Sequence, residues 1–260
     1  MASKQLRIGV FIPSGAQFLD VATVDVLASM SKEYLGYLPM LPAHIGDMAP
    51  STKITYITSP TLFPDVPLTA DLSIRATHTF EDQDVAPGQL DIVVVPGPAP
   101  TAEFEEGATK WLRDQFNTEG VDVLSVCTGI LLCGAAGILK GKTASGPRGL
   151  QDVVLKRHPE VKLVGEKYRW VQDGNLWSSG KSYLGGVTNG NDLMAAYARA
   201  SPKHWPGPVA EMGAMLTDVG DRSQIYGEGQ SRFVLGVAWQ IIKAWFLSLG
   251  SSSKTKSKAN

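Results

Sequence analysis

Short apolar runs that alternate with longer amphipathic segments constrain the fold of this chain more than any other feature. Asp91–Val95 reads Asp-Ile-Val-Val-Val and ends at a Pro-Gly-Pro turn, and Val121–Val126 is the next buried strand that the pattern indicates. Strands of this kind are typical of the centre of a parallel sheet with helices on both faces. Leu6–Ile12 and Lys53–Thr58 predict two further strands. The pattern therefore predicts an α/β fold, a doubly wound and mostly parallel sheet flanked by helices.

The segments around these strands indicate the remaining elements. Helices are predicted from Asp20 to about Leu35, over Ala108–Asn117, from Thr128 to about Leu139, and over Asn191–Ala200. Short strands are predicted over Val161–Gly165, Lys167–Val171 and Leu176–Ser179, around a turn at Asp173-Gly174. Residues 201–229 are rich in proline and glycine and are expected to wrap the surface.

The C-terminal part differs in composition from the rest of the chain. Phe233–Leu249 is strongly apolar but contains Gln240 and Lys243, which predicts an amphipathic helix over residues 231–249 and not a membrane span. This helix would dock on the domain or at a dimer contact, and a membrane-surface helix is the alternative. Residues 251–260 are rich in serine and lysine and are expected to be disordered. We therefore expect a single domain over residues 1–250, followed by a short tail.

Charge and cysteine content exclude several partners and compartments. A net charge of −1 at pH 7 creates no strong field for nucleic acid or an anionic membrane, so neither partner is expected. Two cysteines are too few for a secreted disulfide scaffold, and the N-terminus lacks the apolar region of a signal peptide. These features predict a protein of the reducing cytoplasm.

Cys127 is the residue most indicative of chemistry. It lies between a predicted buried strand and a predicted helix, where a tight turn would present its thiol at the carboxyl edge of the sheet. The N–H groups at the start of the helix would favour the thiolate, and Thr128 and Gly129 keep the approach small and polar. The alternative for Cys127 is a buried structural cysteine. Cys133, which lies inside the predicted helix, is interpreted in that way. No histidine joins the two cysteines at metal-ligand spacing, so neither a metal nor a cofactor is expected.

Four segments of the sequence are informative together: Phe11-Ile-Pro-Ser-Gly-Ala-Gln-Phe-Leu-Asp20, Val95-Pro-Gly97, Ser125-Val-Cys127-Thr-Gly-Ile-Leu-Leu-Cys-Gly-Ala-Ala-Gly137 and Gly186-Val-Thr-Asn-Gly-Asn-Asp192. In these segments the chain resembles a known family, the ThiJ/PfpI superfamily. The resemblance implies a class I glutamine-amidotransferase-like, flavodoxin-like sandwich and, together with the apolar C-terminal helix, a homodimer. The Cys-Thr-Gly form with an Asp on the first loop is most similar to the isonitrile hydratase branch. Val95-Pro-Gly-Pro98, paired with Ser145-Gly-Pro-Arg-Gly149, is most similar to its fungal relatives.

The resemblance implies a role for each matching residue. Cys127 would be the nucleophile and Asp20 the acid and base that exchanges protons beside it, whereas a helix N-cap is the alternative for Asp20. Backbone N–H groups of Thr128 and Gly97 would bind an anionic intermediate. Substrate- or oxyanion-binding positions would also include Gly129, Gly146 and Arg148. A surface salt bridge is the alternative for Arg148.

Two departures from the family pattern bear on mechanism. Pro98 replaces a glycine and removes one possible N–H donor, and the stretch after the elbow helix has no histidine. A Cys-His dyad of the protease kind is therefore disfavoured. The first hypothesis is an isonitrile hydratase-like hydratase or lyase that acts on a small electrophile. The second is a tailoring enzyme of small-molecule or secondary metabolism, a cyclase, isomerase or hydrolase, and the third is a non-catalytic thiol redox sensor or chaperone.

Overall fold

The computed structural model describes residues 5–180, 188–227, 235 and 238–244. The chain divides into two compact units, Met1–Gln224 and Ile225–Asn260. Residues 238–244 of the second unit are helical and fall inside the helix expected over residues 231–249. The remainder of that helix, apart from residue 235, and the whole tail over residues 251–260 lie outside the described residues. The expected domain bounds therefore stay predictions.

The first unit alternates strands with helices. Its strands are β1 (Leu6–Phe11), β2 (Thr52–Thr58), β3 (Asp65–Pro67), β4 (Ser73–Arg75), β5 (His78–Thr79), β6 (Ile92–Val95), β7 (Asp122–Val126), β8 (Thr143–Ala144), β9 (Lys162–Leu163), β10 (Trp170–Asp173) and β11 (Leu176–Ser179). Its helices are α1 (Phe18–Val21), α2 (Val24–Ala28), α3 (Lys32–Leu35), α4 (Ala43–Met48), α5 (Glu106–Asn117), α6 (Gly129–Ala135), α7 (Gln151–Arg157), α8 (Asn189–Ala200) and α9 (Gly207–Thr217).

The main sheet of the described chain has seven strands in the order β10-β11-β7-β6-β1-β2-β5. All neighbours in it are parallel except β10 and β11, which form an antiparallel hairpin. The chain proceeds from β1 to β2 on one side and later returns to β6 on the other side of β1. This change of direction makes the carboxyl ends of β1 and β6 the switch point at which ligands of open α/β sheets bind. The predicted doubly wound, mostly parallel sheet is confirmed.

Two apolar cores lie on opposite faces of this sheet. One contains residues of α2, α8 and α9, with Trp177, Tyr197 and Trp205 packed edge to face. The other contains residues of α5, α6 and α7 and includes Cys133. Because β6 is buried along its whole length, the apolar run at its centre needs no polar face.

The prediction of one continuous helix from Asp20 to about Leu35 is wrong. The structure has three short helices there, α1, α2 and α3, and the breaks fall at hydroxyl side chains that bind the backbone. Thr23 Oγ1 donates to the Asp20 carbonyl, and Ser29 Oγ donates to the Asp25 carbonyl. Ser31 is extended and caps α3, because its side chain accepts a hydrogen bond from Tyr34 N. Such local bonds compete with a continuous helix.

Two other predicted boundaries are also corrected. Helix α6 ends at Ala135 and not near Leu139, because Gly137 adopts the left-handed conformation that terminates helices (φ +77°). The segment over residues 201–229 also contains a helix that was not predicted, because α9 occupies Gly207–Thr217. Proline in the first turn of α9 is a start signal that the prediction overlooked.

The short strands after α6 differ in extent from the prediction. β9 is shorter than Val161–Gly165, and β10 begins three residues later than Lys167. No helix in the described ranges is long and apolar enough to cross a membrane.

Candidate active site

Cys127 occupies a sharp turn between β7 and α6. Its φ of +58° is left-handed, a conformation that residues with a side chain rarely adopt. Its backbone N–H donates to the Ser179 carbonyl of β11 at 3.1 Å, and its side chain is largely buried. The turn therefore aims the thiol out of the carboxyl edge of the sheet, as in the nucleophile elbows of other α/β enzymes.

Gly129, the first residue of α6, packs directly on the neighbouring strand. A methyl group at this position would lie 2.2 Å from the Val95 carbonyl oxygen, so only glycine fits without a shift of backbone. The close approach brings the start of α6 against the end of β6. Gly129 thus sets the spacing between the Cys127 turn and the Gly97 loop.

Gly97 lies between the side chains of Asp20 and Thr128. A methyl group at Gly97 would lie 2.5 Å from Asp20 Oδ2 and 2.5 Å from Thr128 Oγ1, so these oxygens are no farther apart than twice that distance. The same point is 3.0 Å from the Thr128 backbone nitrogen. The structure thus brings together four of the expected site residues: Cys127, Thr128, Gly97 and Asp20.

The Gly97 loop is fixed from both sides by hydrogen bonds. Gln17 N donates to the Gly97 carbonyl at 2.9 Å, and Thr128 Oγ1 donates to the Pro98 carbonyl at 2.6 Å. Pro98 has no N–H to offer, but its carbonyl anchors the residue that follows the cysteine. The loop after β1, the loop after β6 and the elbow after β7 are therefore held as one unit.

Asp20 is fully buried on α1, one turn after Gln17. Its backbone N–H donates to the Gln17 carbonyl at 3.0 Å, so the turn that carries Asp20 is the one that is tied to Gly97. Asp20 is not among the described lining residues, and its Oδ2 lies beside Gly97, close to Thr128 Oγ1. The alternative of a helix N-cap does not hold, because Asp20 is the third residue of α1.

A cavity of about 640 Å³ opens above Cys127 and Thr128. Its described lining comes from residues 14–17, 67–69, 97–100 and 127–128 and from residues 147, 149 and 150. This volume lies within the range of pockets that hold small molecules. Gly186 and Val187 of the fourth family segment lie outside the described residues.

Gly146 and Arg148 are not among the described lining residues. Gly146 is buried against Ile130, and its carbonyl accepts a hydrogen bond from the Gln151 side chain. Arg148 is buried, and its Nε and Nη2 donate to the Glu166 carbonyl at 3.1 and 2.5 Å. Neither residue therefore lies in the described lining, and Arg148 is buried and does not lie at the surface.

The β3–β4 hairpin contributes a wall that the sequence reasoning missed. Pro67, Leu68 and Thr69 line the cavity, and Thr69 Oγ1 accepts a hydrogen bond from Phe18 N. The Ala16 N–H and the Pro67 carbonyl, 3.4 Å apart, join the hairpin to the loop after β1. The only signal in the sequence was a short alternation around a turn without glycine, which is weak evidence for a hairpin.

The other titratable groups lie elsewhere in the described chain. None of the four histidines, all within the described ranges, lines the cavity. His158 packs on Gly134 of α6, and burial, followed by the charge of Arg157, lowers its pKa. Cys133 is a free thiol whose pKa is raised to about 12 by complete burial. Its expected role as a core residue agrees with this environment.

Comparisons with known proteins agree with this architecture. A family model described as the DJ-1/PfpI family matches residues 55–184, which include Gly97 and Cys127. An isonitrile hydratase of Pseudomonas putida is 33% identical over 199 residues, which are 75% of this chain and 71% of that protein.

Solved structures share the fold at lower identity. A ThiJ/PfpI family protein of Pseudomonas syringae superposes with a TM-score of 0.62 at 18% identity, over 89% of this chain and 81% of that one. DJ-1beta of Drosophila melanogaster superposes with a TM-score of 0.60 at 17% identity, over 83% of this chain and 98% of that one.

Proposed function

Because the chain belongs to the DJ-1/PfpI family, we propose that it is an enzyme whose Cys127 thiolate attacks a small electrophile, with isonitrile hydration as the model reaction. The observation that carries the proposal is the left-handed Cys127, which faces the cavity while Asp20 and Thr128 meet at Gly97. The identity to an isonitrile hydratase supports hydration as the first reaction to test.

The first step joins sulfur to carbon. The Cys127 thiolate forms a bond to the terminal carbon of the isonitrile, and protonated Asp20 delivers a proton to that carbon. The product is a thioimidate, R–N=CH–S–Cys127, and Asp20 is left as a carboxylate. Backbone N–H groups at Gly97, Thr128 and Gly129 stabilise negative charge as it develops.

The second step releases the product with water as the only co-reactant. Asp20 takes a proton from water and passes it to the nitrogen, while the water oxygen bonds to the thioimidate carbon. The C–S bond then breaks, sulfur keeps the electron pair, and the hydroxyl proton returns to Asp20 as the carbonyl forms. The net reaction converts R–N≡C and water into the formamide R–NH–CHO, and it needs no histidine.

Two other functions start from the same thiol. A tailoring enzyme that cyclises, isomerises or hydrolyses its substrate would use the same attack with a different second step. A redox sensor would use only the oxidation of Cys127 and would turn over no substrate. The kinetic test below separates these cases.

The test is a covalent adduct followed by steady-state kinetics. Incubation with aliphatic isonitriles, and then with other small electrophiles, should add one substrate mass to Cys127 under conditions that trap the adduct. Cys127→Ala should abolish turnover, and Asp20→Asn should lower kcat by on the order of a hundredfold or more. Cys127→Ser should be nearly as inactive, because an alcohol without a nearby base is a poor nucleophile.

Matched variants control for folding. Cys133→Ala changes the other thiol, and Asp25→Asn changes an exposed carboxylate on the adjacent helix, so both should keep near wild-type kcat. Full activity in Cys127→Ala would refute the nucleophile. Formation of an adduct on Cys127 without turnover of any of the electrophiles tested would favour the redox-sensor hypothesis.

A further inference from the structure

The described wall of the Cys127 cavity carries no formally charged side chain. Among the lining residues that the structure describes, none is an aspartate, glutamate, lysine, arginine or histidine. The lining is rich in apolar side chains, and its two leucines, Leu68 and Leu150, come from different segments of the chain. An ion that leaves water for such a wall loses hydration that the wall does not replace.

Arg148 is the cation closest in sequence to this wall, and its hydrogen bonds direct it elsewhere. Its neighbours Pro147 and Gly149 line the cavity, but its Nε and Nη2 both donate to the Glu166 backbone carbonyl. These two bonds join the guanidinium to the backbone at Glu166 and not to a residue of the described lining.

Four prolines stiffen the wall. Pro67, Pro98, Pro100 and Pro147 come from three separate segments of the described lining, and each has a fixed φ. The Pro98 carbonyl is further held by Thr128 Oγ1. The described part of the cavity wall is therefore largely preformed.

We propose that the Cys127 cavity selects uncharged electrophiles with an apolar body and discriminates against both anions and cations. The inference rests on the proposed function, since it assumes that Cys127 is the attacking group. It defines the substrate class by charge and polarity, whatever the second chemical step is. It also predicts that electrophiles that carry a carboxylate, phosphate or ammonium group are poor substrates of this site.

Three methanethiosulfonates that differ in charge test this selection without any turnover. The probes are the neutral propyl, the anionic 2-sulfonatoethyl and the cationic 2-(trimethylammonium)ethyl reagents. In each case the thiolate bonds to the alkylthio sulfur, the S–S bond of the reagent breaks, and methanesulfinate leaves with the electron pair. Rates of mass increase at Cys127 are divided by the rates for 2-mercaptoethanol, which removes intrinsic reactivity.

The neutral reagent should exceed each charged one by about tenfold or more after this division. A normalised rate for the anion that equals or exceeds the neutral one would overturn the proposal, because it would require a cation in the cavity. A normalised rate for the cation that equals or exceeds the neutral one would overturn it as well, because attraction to the thiolate would then outweigh the cost of desolvating the cation in the cavity. Failure of all three reagents at Cys127 would instead refute the proposed nucleophile.

Substitutions in the wall should reverse the selection. Leu150→Lys places a cation in the lining and should raise the normalised rate of the anionic reagent by about tenfold. Leu155→Lys changes an exposed residue of α7 outside the lining and should leave all three rates unchanged. Thr69→Lys, at an exposed lining position, repeats the test if Leu150→Lys unfolds. Unchanged selectivity in both lining variants would contradict the proposal.

Discussion

At the scale of single residues, the two cysteines show how position in the fold gives two identical thiol groups different surroundings. Cys127 lies at a turn that opens on a cavity, whereas Cys133 lies six residues later in α6 with no exposed surface. Their positions were predictable, because a cysteine between strand and helix and a cysteine inside an apolar helix meet different surroundings. The partner residues at Gly97 were suggested by the family resemblance and not by the residue pattern.

Cys133 should make the protein sensitive to alkali. Burial raises its folded-state pKa from 9.0 to about 12, so the unfolded chain loses this proton first as the pH rises. The stabilising contribution is complete below pH 9 and is lost between about pH 9 and pH 12. Between pH 8 and pH 10.5, the wild type should therefore lose about 1–2 kcal/mol more unfolding free energy than Cys133→Ala.

Urea unfolding of both proteins at the two pH values measures this difference. Groups that are common to both proteins, such as Tyr197, whose pKa burial also raises, cancel in the comparison. Parallel losses of stability in the two proteins would contradict the assignment.

At the scale of elements, local patterns predicted the buried strands well and the connections poorly. β6 and β7 are mostly apolar because they are covered on both faces, so their composition alone indicates that they are buried strands. The breaks between α1, α2 and α3 depend on hydroxyl groups that can serve either a helix or a turn. Helix α9 depends on tertiary packing, since Gly213 allows close contact with Met30 of the first core.

The β3–β4 hairpin is the element that local patterns could least predict. Its tip places Ala70 and Asp71 in left-handed conformations (φ +65° and +53°), which sequences usually mark with glycine or asparagine. Hydrogen bonds to the loop after β1 hold the hairpin in place despite this strain. One wall of the cavity thus depends on backbone contacts, which the amino-acid sequence does not indicate.

Relief of this strain should stabilise the protein. Ala70→Gly removes the steric penalty of a left-handed alanine and should raise the unfolding free energy by about 0.5–1 kcal/mol, after the larger entropy of the unfolded chain is included. Ala196→Gly, in the middle of α8, should lower it by about 1 kcal/mol or more, because a helical alanine gains nothing from glycine. Denaturant unfolding of both variants measures the change in unfolding free energy. A destabilisation of similar size in both would contradict the interpretation that the turn is strained.

At the scale of the whole molecule, the expected homodimer stays a prediction that the exposed apolar side chains support. Leu235, Trp239 and Ile241 of the second unit are 58–69% exposed, although each is large and apolar. Surfaces of this kind are commonly covered by a partner. A dimer should sediment at about twice the mass of one chain, 27.9 kDa, at micromolar concentration.

Charge at that surface should weaken the association. Trp239→Glu together with Ile241→Glu should shift the sedimenting mass toward one chain, whereas Leu155→Glu on α7 should not. A wild-type mass near 27.9 kDa at every concentration would contradict the dimer.

The hydrogen bond from Cys127 N to the Ser179 carbonyl has a consequence for the order of events during synthesis. Every described segment of the cavity wall has been translated by residue 150, but the strand that secures the elbow ends at residue 179. The left-handed turn at Cys127 is secured only after β11 pairs with β7, so its geometry arises late, once most of the surrounding chain has been made.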